Sequence, residues 1–166
     1  MSFIGIDPGA TTGIAALSDK GQIIHLGSKR WDLAKIYDEV LFRVNVAPRH
    51  VVVIGVEVPD NILYGRNAGK GAVYAAICAG KNIERAKSLV SLLKSHSGLI
   101  VYEIRPRREK KWTPEYFRMA YKWDKKTNEH QRDAVRIAER AWAQWKIDNL
   151  QIPANVGKGS NGKLGQ

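Results

Sequence analysis

Asp7, Glu57, His130 and Asp133 are the residues of this chain whose types and spacing could do chemistry. Phe3-Ile4-Gly5-Ile6 runs straight into Asp7 before turning on Pro8-Gly9, and Val51-Val52-Val53-Ile54-Gly55-Val56 ends the same way in Glu57. His130 and Asp133 stand three positions apart at the start of a segment with an apolar stripe. An acid at the end of an apolar strand is costly to bury unless something positive lies beside it. A divalent cation answers that need, because it relieves repulsion between neighbouring carboxylates and can hold a phosphate for in-line attack. Taken singly, each residue has a plainer role. Asp7 suits the cap of its own Asp-Pro-Gly turn, and Glu57 a solvated strand-end acid paired with a lysine. His130 and Asp133 suit the first turn of a helix, where the macrodipole and capping favour them. Their coincidence favours the joint reading, a two-metal cluster.

For the four to meet, the intervening elements must bring them to one place. Alternation and turn chemistry predict a strand into Asp7, a glycine-rich corner and an antiparallel strand through Leu17, with a third strand over residues 22–27. Leu33, Ile36, Tyr37, Val40, Leu41 and Val44 follow helical spacing, closed near Pro48. The β-branched run 51–56 reads as a strand covered on both faces. A glycine-rich basic loop spans 65–71, followed by a helix over 72–96, bent near Gly80, and a fifth strand over 99–104 stopped by Pro106. Thr113 caps a short helix with Pro114 at its first position. A final helix over 128–148 turns Ala134, Val135, Ile137, Ala138, Ala141 and Trp142 inward. Right-handed crossovers then make the first, fourth and fifth strands parallel, in a mixed sheet with helices on both faces. Parallel neighbours share a carboxyl edge, so Asp7 and Glu57 are expected side by side, with His130 and Asp133 on one face of the incoming helix.

The composition names a class of partner. The 166 residues carry 27 Lys+Arg against 16 Asp+Glu, a formal charge of +11. That excess suits a polyanion. Nucleic acid is preferred over an anionic membrane, since no amphipathic helix sets a bulky apolar face opposite its lysines. Nine cations (Arg105, Arg107, Arg108, Lys110, Lys111, Arg118, Lys122, Lys125 and Lys126) interleave with Trp112, Tyr116, Phe117, Tyr121 and Trp123. They read as a phosphate track, joined by Arg66 and Lys70 from the other loop. Phe117, Tyr121 and half the tryptophans are expected in the core. The length fits one domain over 1–150, with 151–166 a flexible basic tail. No apolar run approaches the ~18–20 residues of a membrane span, and no basic-then-apolar leader opens the chain. A cytoplasmic location is expected. Cys78 is the single cysteine, so no intramolecular disulfide is possible, and no Cys/His set has zinc spacing.

Ile4-Gly5-Ile6-Asp7-Pro8-Gly9 with Thr12-Gly13, the strand ending Val56-Glu57, and His130-Gln131-Arg132-Asp133-Ala134 resemble the RuvC-type Holliday junction resolvases of the ribonuclease H-like superfamily. The resemblance implies an α/β, ribonuclease H-like mixed five-stranded sheet. It implies catalytic metal ligands at Asp7, Glu57, His130 and Asp133, two Mg²⁺ (or Mn²⁺) ions per site, and cleavage of branched DNA at a four-way junction to 5′-phosphate and 3′-hydroxyl ends. Imidazole suits Mn²⁺ better than Mg²⁺, so His130 is either a ligand or a proton donor to the leaving group. The stretch after Val101-Tyr102-Glu103 resembles the family's basic segment, where a lysine approaches the scissile phosphate; Lys110 is the first choice and Lys111 the fallback. Two symmetric cuts imply a homodimer, for which the helix over 72–96 offers a small and apolar face.

Two stretches depart from that pattern. Val58-Pro59-Asp60 replaces an aromatic wedge after Glu57, leaving Tyr64 as the first aromatic, and Trp112-Thr113-Pro114-Glu115-Tyr116 replaces a glycine-rich segment. Both suit a phage-type member, in which case the cytoplasm is the host cell's. Three other readings stand beside this one. The first is another nuclease of the superfamily, acting on flaps, branched DNA or RNA–DNA hybrids. The second is half of an actin-like or sugar-kinase ATPase, which the length disfavours, so no nucleotide cofactor is expected. The third is a non-enzymatic basic DNA-binding protein, against which the full acidic set argues.

Overall fold

The computed structural model describes residues 1–46, 51–59, 70–107 and 109–150. Its elements are β1 (Ser2–Pro8), β2 (Thr12–Ser18), β3 (Ile23–Lys29), α1 (Leu33–Val46), β4 (Val52–Glu57), α2 (Lys70–Ser95), β5 (Ile100–Ile104), α3 (Pro114–Tyr121) and α4 (Glu129–Leu150). The strands form one sheet in the order β3-β2-β1-β4-β5, antiparallel across β3-β2-β1 and parallel across β1-β4-β5. That is the mixed sheet the sequence predicts.

Period-2 alternation along β1 divides the core in two. Ile4 and Ile6 join Ile54, Val56, Ile36, Val40, Leu89 and Leu93 on the face covered by α1 and α2. Phe3 joins Val53, Ile104, Phe117, Val135 and Ile137 on the face covered by α3 and α4. Both faces of the central strands are therefore dry, which is why β1 and β4 read as near-continuous apolar runs.

The second face is built for close approach. A Cβ added at Gly5 would lie 2.0 Å from the Ala134 carbonyl oxygen, and one at Gly13 would lie 2.0 Å from that of His130. Ala134, Ala138 and Ala141 answer from the helix side, all fully buried. With glycine facing alanine, the backbone of α4 lies almost on the sheet, and its first turn is held over the carboxyl ends of β1 and β4.

Most element boundaries agree with the sequence reading. The exception is α2, which begins at Lys70 and takes in two residues expected in the glycine-rich loop; it continues through Gly80 as one helix. The short helix is capped as expected, with the Tyr116 N–H donating to Thr113 Oγ1 at 3.2 Å. Phe117 is core; Trp112 and Tyr121 pack on it and on each other, and Tyr116 packs on Trp112, with ring centroids 4.9–6.3 Å apart. Tyr64, Arg66, Arg108 and the tail over 151–166 lie outside the described residues. Among the described residues no helix is long and apolar enough to cross a membrane.

Candidate active site

Strand register brings the first two acids together. β1 and β4 pair in parallel with Gly5 opposite Gly55 and Ile6 opposite Val56, so the next step sets Asp7 beside Glu57. Both continue the Phe3-Gly5 and Val53-Gly55 phase, and both therefore face α4. Asp7 does not cap its own turn. The corner is closed by Thr12 Oγ1 donating to the Gly9 carbonyl at 3.4 Å, while His130 Nδ1 donates to Asp7 Oδ2 at 2.8 Å.

The start of α4 is fixed by a reciprocal cap. The Gln131 N–H donates to Asn128 Oδ1 at 3.0 Å, and the Asn128 N–H to Gln131 Oε1 at 2.9 Å. Asn128 also donates to Ser28 Oγ at 2.6 Å, tying the helix start to β3. Arg132 holds the segment in front of it, donating to the Trp112 carbonyl at 2.8 Å and to the Thr127 carbonyl at 2.9 Å. Between these anchors His130 and Asp133 project to the same side, over the two strand-end acids.

Glu57 and Asp133 share a cleft of about 180 Å³ with Lys111, Arg107, Arg136 and Arg140. Lys111 Nζ is 3.8 Å from Asp133 Oδ2 and also pairs with Glu129. Arg136 Nη1 is 3.8 Å from Asp133 Oδ1, while its other nitrogen pairs with Glu109. The Arg136 guanidinium lies 5.4 Å from the centre of the Trp112 ring, which supports it from beneath.

The electrostatics report crowded negative charge. Burial, then the neighbouring Asp7 and Asp133, push the Glu57 carboxyl up to about 7, against the pull of Arg140 and Arg136. Burial also raises Asp7, opposed first by its hydrogen bond to His130, with Asp133 adding to the rise and Lys111 reducing it. Both carboxyls are held against ionisation by burial first and by one another second, a strain that positive charge beside them would relieve. As the side chains stand, no three His, Cys, Asp or Glu among the described residues converge tightly enough to hold a metal ion. In donor type and charge, three carboxylates and one imidazole at one edge match what a hard divalent cation takes.

All four residues singled out in the sequence thus meet at one edge of the sheet. Of the two lysines, the one reaching the acids is Lys111; Lys110, expected to do so, is exposed beside it. Arg107 lines the cleft, Arg105 lines the groove that continues from it, and Arg118 lies farther off beside Trp123. Lys70 is the first residue of α2. Sequence reasoning missed Arg136 and Arg140. Their signal was present: they follow Asp133 at three and seven positions, on the face that carries it.

No protein-family model matches the chain, and no curated protein matches it. Among solved structures it is similar to T. thermophilus RuvC in complex with a Holliday junction substrate, with a TM-score of 0.57 and 19% identity. The match covers 87% of this chain and 96% of that one. At that identity the likeness is one of fold: the chain has the α/β, ribonuclease H-like architecture, a mixed five-stranded sheet between helices.

Proposed function

We propose that the protein is a structure-selective DNA endonuclease that resolves four-way junctions by metal-dependent phosphodiester hydrolysis, giving 5′-phosphate and 3′-hydroxyl ends. The observation that carries this reading is the gathering of Asp7, Glu57, His130 and Asp133 at one sheet edge, where burial first and the neighbouring acids second raise Glu57 to about 7. The +11 charge and the arginines around the cleft supply attraction for a polyanion. The similarity in fold to RuvC, whose structure holds a Holliday junction substrate, favours branched DNA as that polyanion.

Asp7, Glu57, Asp133 and His130 would hold two Mg²⁺ or Mn²⁺ ions. Bound there, such ions supply a nucleophilic water at neutral pH and stabilise the departing 3′ oxygen. The chain's own groups do the remainder. Lys111, 3.8 Å from Asp133, offsets charge on the phosphate beside the acids. His130 is held by Asp7 at the helix start, placed either to ligate or to protonate the leaving oxygen. Two symmetric cuts call for a two-fold dimer, and α2 exposes Ile77 and Leu92 for such a contact.

The test is a cleavage assay with Mg²⁺ or Mn²⁺ on a four-way junction, a flap and an RNA–DNA hybrid. Paired nicks on the junction support the reading. Cleavage of the hybrid alone moves it to another nuclease of this fold, and no metal-dependent nick on any substrate removes it.

A further inference from the structure

The acidic edge does not end at the acids. The cleft that holds Glu57 and Asp133 opens, past Arg107 and Arg140, into a groove between the end of β5 and the outer face of α4, lined by Ile104, Arg105, Ala143, Ile147 and Glu103, the last paired with Lys94 at 2.8 Å. Arg107 and Arg140 line both hollows and so mark the junction between them.

These two guanidinium groups are poorly neutralised. Arg140 is half-buried, and its side chain makes no hydrogen bond or ion pair among the described residues. Burial disfavours its charge, and Arg107 beside it adds repulsion, with Glu57 and Glu109 giving only longer-range relief. Among the described residues Arg107 pairs with Glu109, at 3.5 Å. Glu109 in turn is paired with Arg136. Two adjacent guanidiniums with one shared, already engaged carboxylate make a site short of an anion. A phosphodiester supplies one negative charge and two oxygens of the geometry that guanidinium groups match.

We propose that Arg107 and Arg140 bind a phosphate flanking the one that is cut, and that the scissile strand therefore leaves the acids through the groove between β5 and α4. The inference rests on the nuclease reading and adds to it a strand direction and a residue, Arg140, that ordinary counting of the basic segment omits. Arg136 is not part of the pair, because its guanidinium is already engaged by Glu109, Asp133 and the Trp112 ring.

The experiment uses the full chain carrying Asp7→Asn, so that binding to a labelled four-way junction is read without cleavage. Over about 50 to 200 mM salt, Arg140→Gln should lower the slope of log affinity against log salt by about 0.7–0.9, one phosphate contact, and Arg140→Lys should restore it. Junctions with a single neutral methylphosphonate, walked along the strand on either side of the cut, test the same contact with the protein unchanged. At one flanking position the substitution should weaken the Arg140 protein by the amount Arg140→Gln does and cost the Arg140→Gln protein nothing further. An unchanged salt slope, or losses that simply add at every position, overturns the anion site. The nuclease reading fails differently: the junction is not bound at all, or the wild type cuts nothing in any metal.

Discussion

His130 Nδ1 lies 2.8 Å from Asp7 Oδ2, joining two residues 123 positions apart in the chain. The contact closes the distance between the first strand and the last helix at the point where both carry site residues. Replacing Asp7 by Asn removes the charge at the centre of the acidic group while preserving shape. Cleavage should fall by more than the roughly 10–100-fold usual for residues standing behind a metal's own ligands, with junction affinity retained. Single-turnover rates beside binding isotherms check both halves.

His130 separates two roles by metal preference. His130→Asp offers a hard oxygen in place of imidazole, which Mg²⁺ accepts more readily. If the ring is a ligand, the variant keeps its activity in Mg²⁺. If it is the proton donor, activity falls in both metals and the dependence on pH shifts. Rate–pH profiles in Mg²⁺ and in Mn²⁺ distinguish the outcomes.

Glu57 makes stability depend on pH in the cation-free protein. Its folded carboxyl ionises near 7 against an ordinary 4.5, so the folded state holds a proton that the unfolded chain releases. Stability from this group is fully present below about 4.5 and declines as pH rises through 7. Asp7, raised in the same sense, adds to the trend. Thermal melts in chelator should show Tm falling across that window, and Glu57→Gln should flatten the curve. Adding Mg²⁺ or Mn²⁺ near neutral pH should release protons, measurable by calorimetry in buffers of different ionisation enthalpy.

Adjacent lysines should behave differently. Lys111→Ala, which removes the ammonium 3.8 Å from Asp133, should lower turnover at saturating DNA by about 10²-fold, the scale of a lost electrostatic contact to the reacting group. Lys110→Ala should leave turnover alone and weaken binding in a salt-dependent way. Equal losses in turnover would undo the assignment of Lys111.

Gly5→Ala tests the close contact beneath α4. The new Cβ would meet the Ala134 carbonyl oxygen at 2.0 Å, where only backbone movement gives relief. A stability loss of about 1–3 kcal/mol is expected from such overpacking. Activity should drop further than stability explains, because the helix that shifts carries His130 and Asp133. Denaturation midpoints set against specific activity provide the comparison.

What the sequence made legible follows from how strongly each part is constrained. Strands β1 and β4 are covered on both faces, so their apolar runs are nearly unbroken and the acids that end them stand out. The alanine stripe of α4 is equally plain, and helical periodicity then places His130 and Asp133 together. Periodicity gave no help between Pro106 and Thr113, where the described residues are neither helix nor strand. Whether Lys110 or Lys111 turned inward depended on local backbone geometry and on the pull of Asp133 and Glu129. Arg136 and Arg140 were hidden for another reason. Cations on a helix are ordinarily solvated, and only the nearness of Glu57 and Arg107 gives these two a different meaning. The glycines were visible, but the backbone contact they permit is a property of the assembled face.

The glycine–alanine seating of α4 ties the chemistry of the molecule to its endurance. This helix covers β1, β2 and β4 at once, so its amides belong with the most protected in the protein and should exchange with solvent only through whole-molecule opening. His130 and Asp133, two of the four clustered residues, ride on that element. Their placement should therefore persist on heating until the core itself melts.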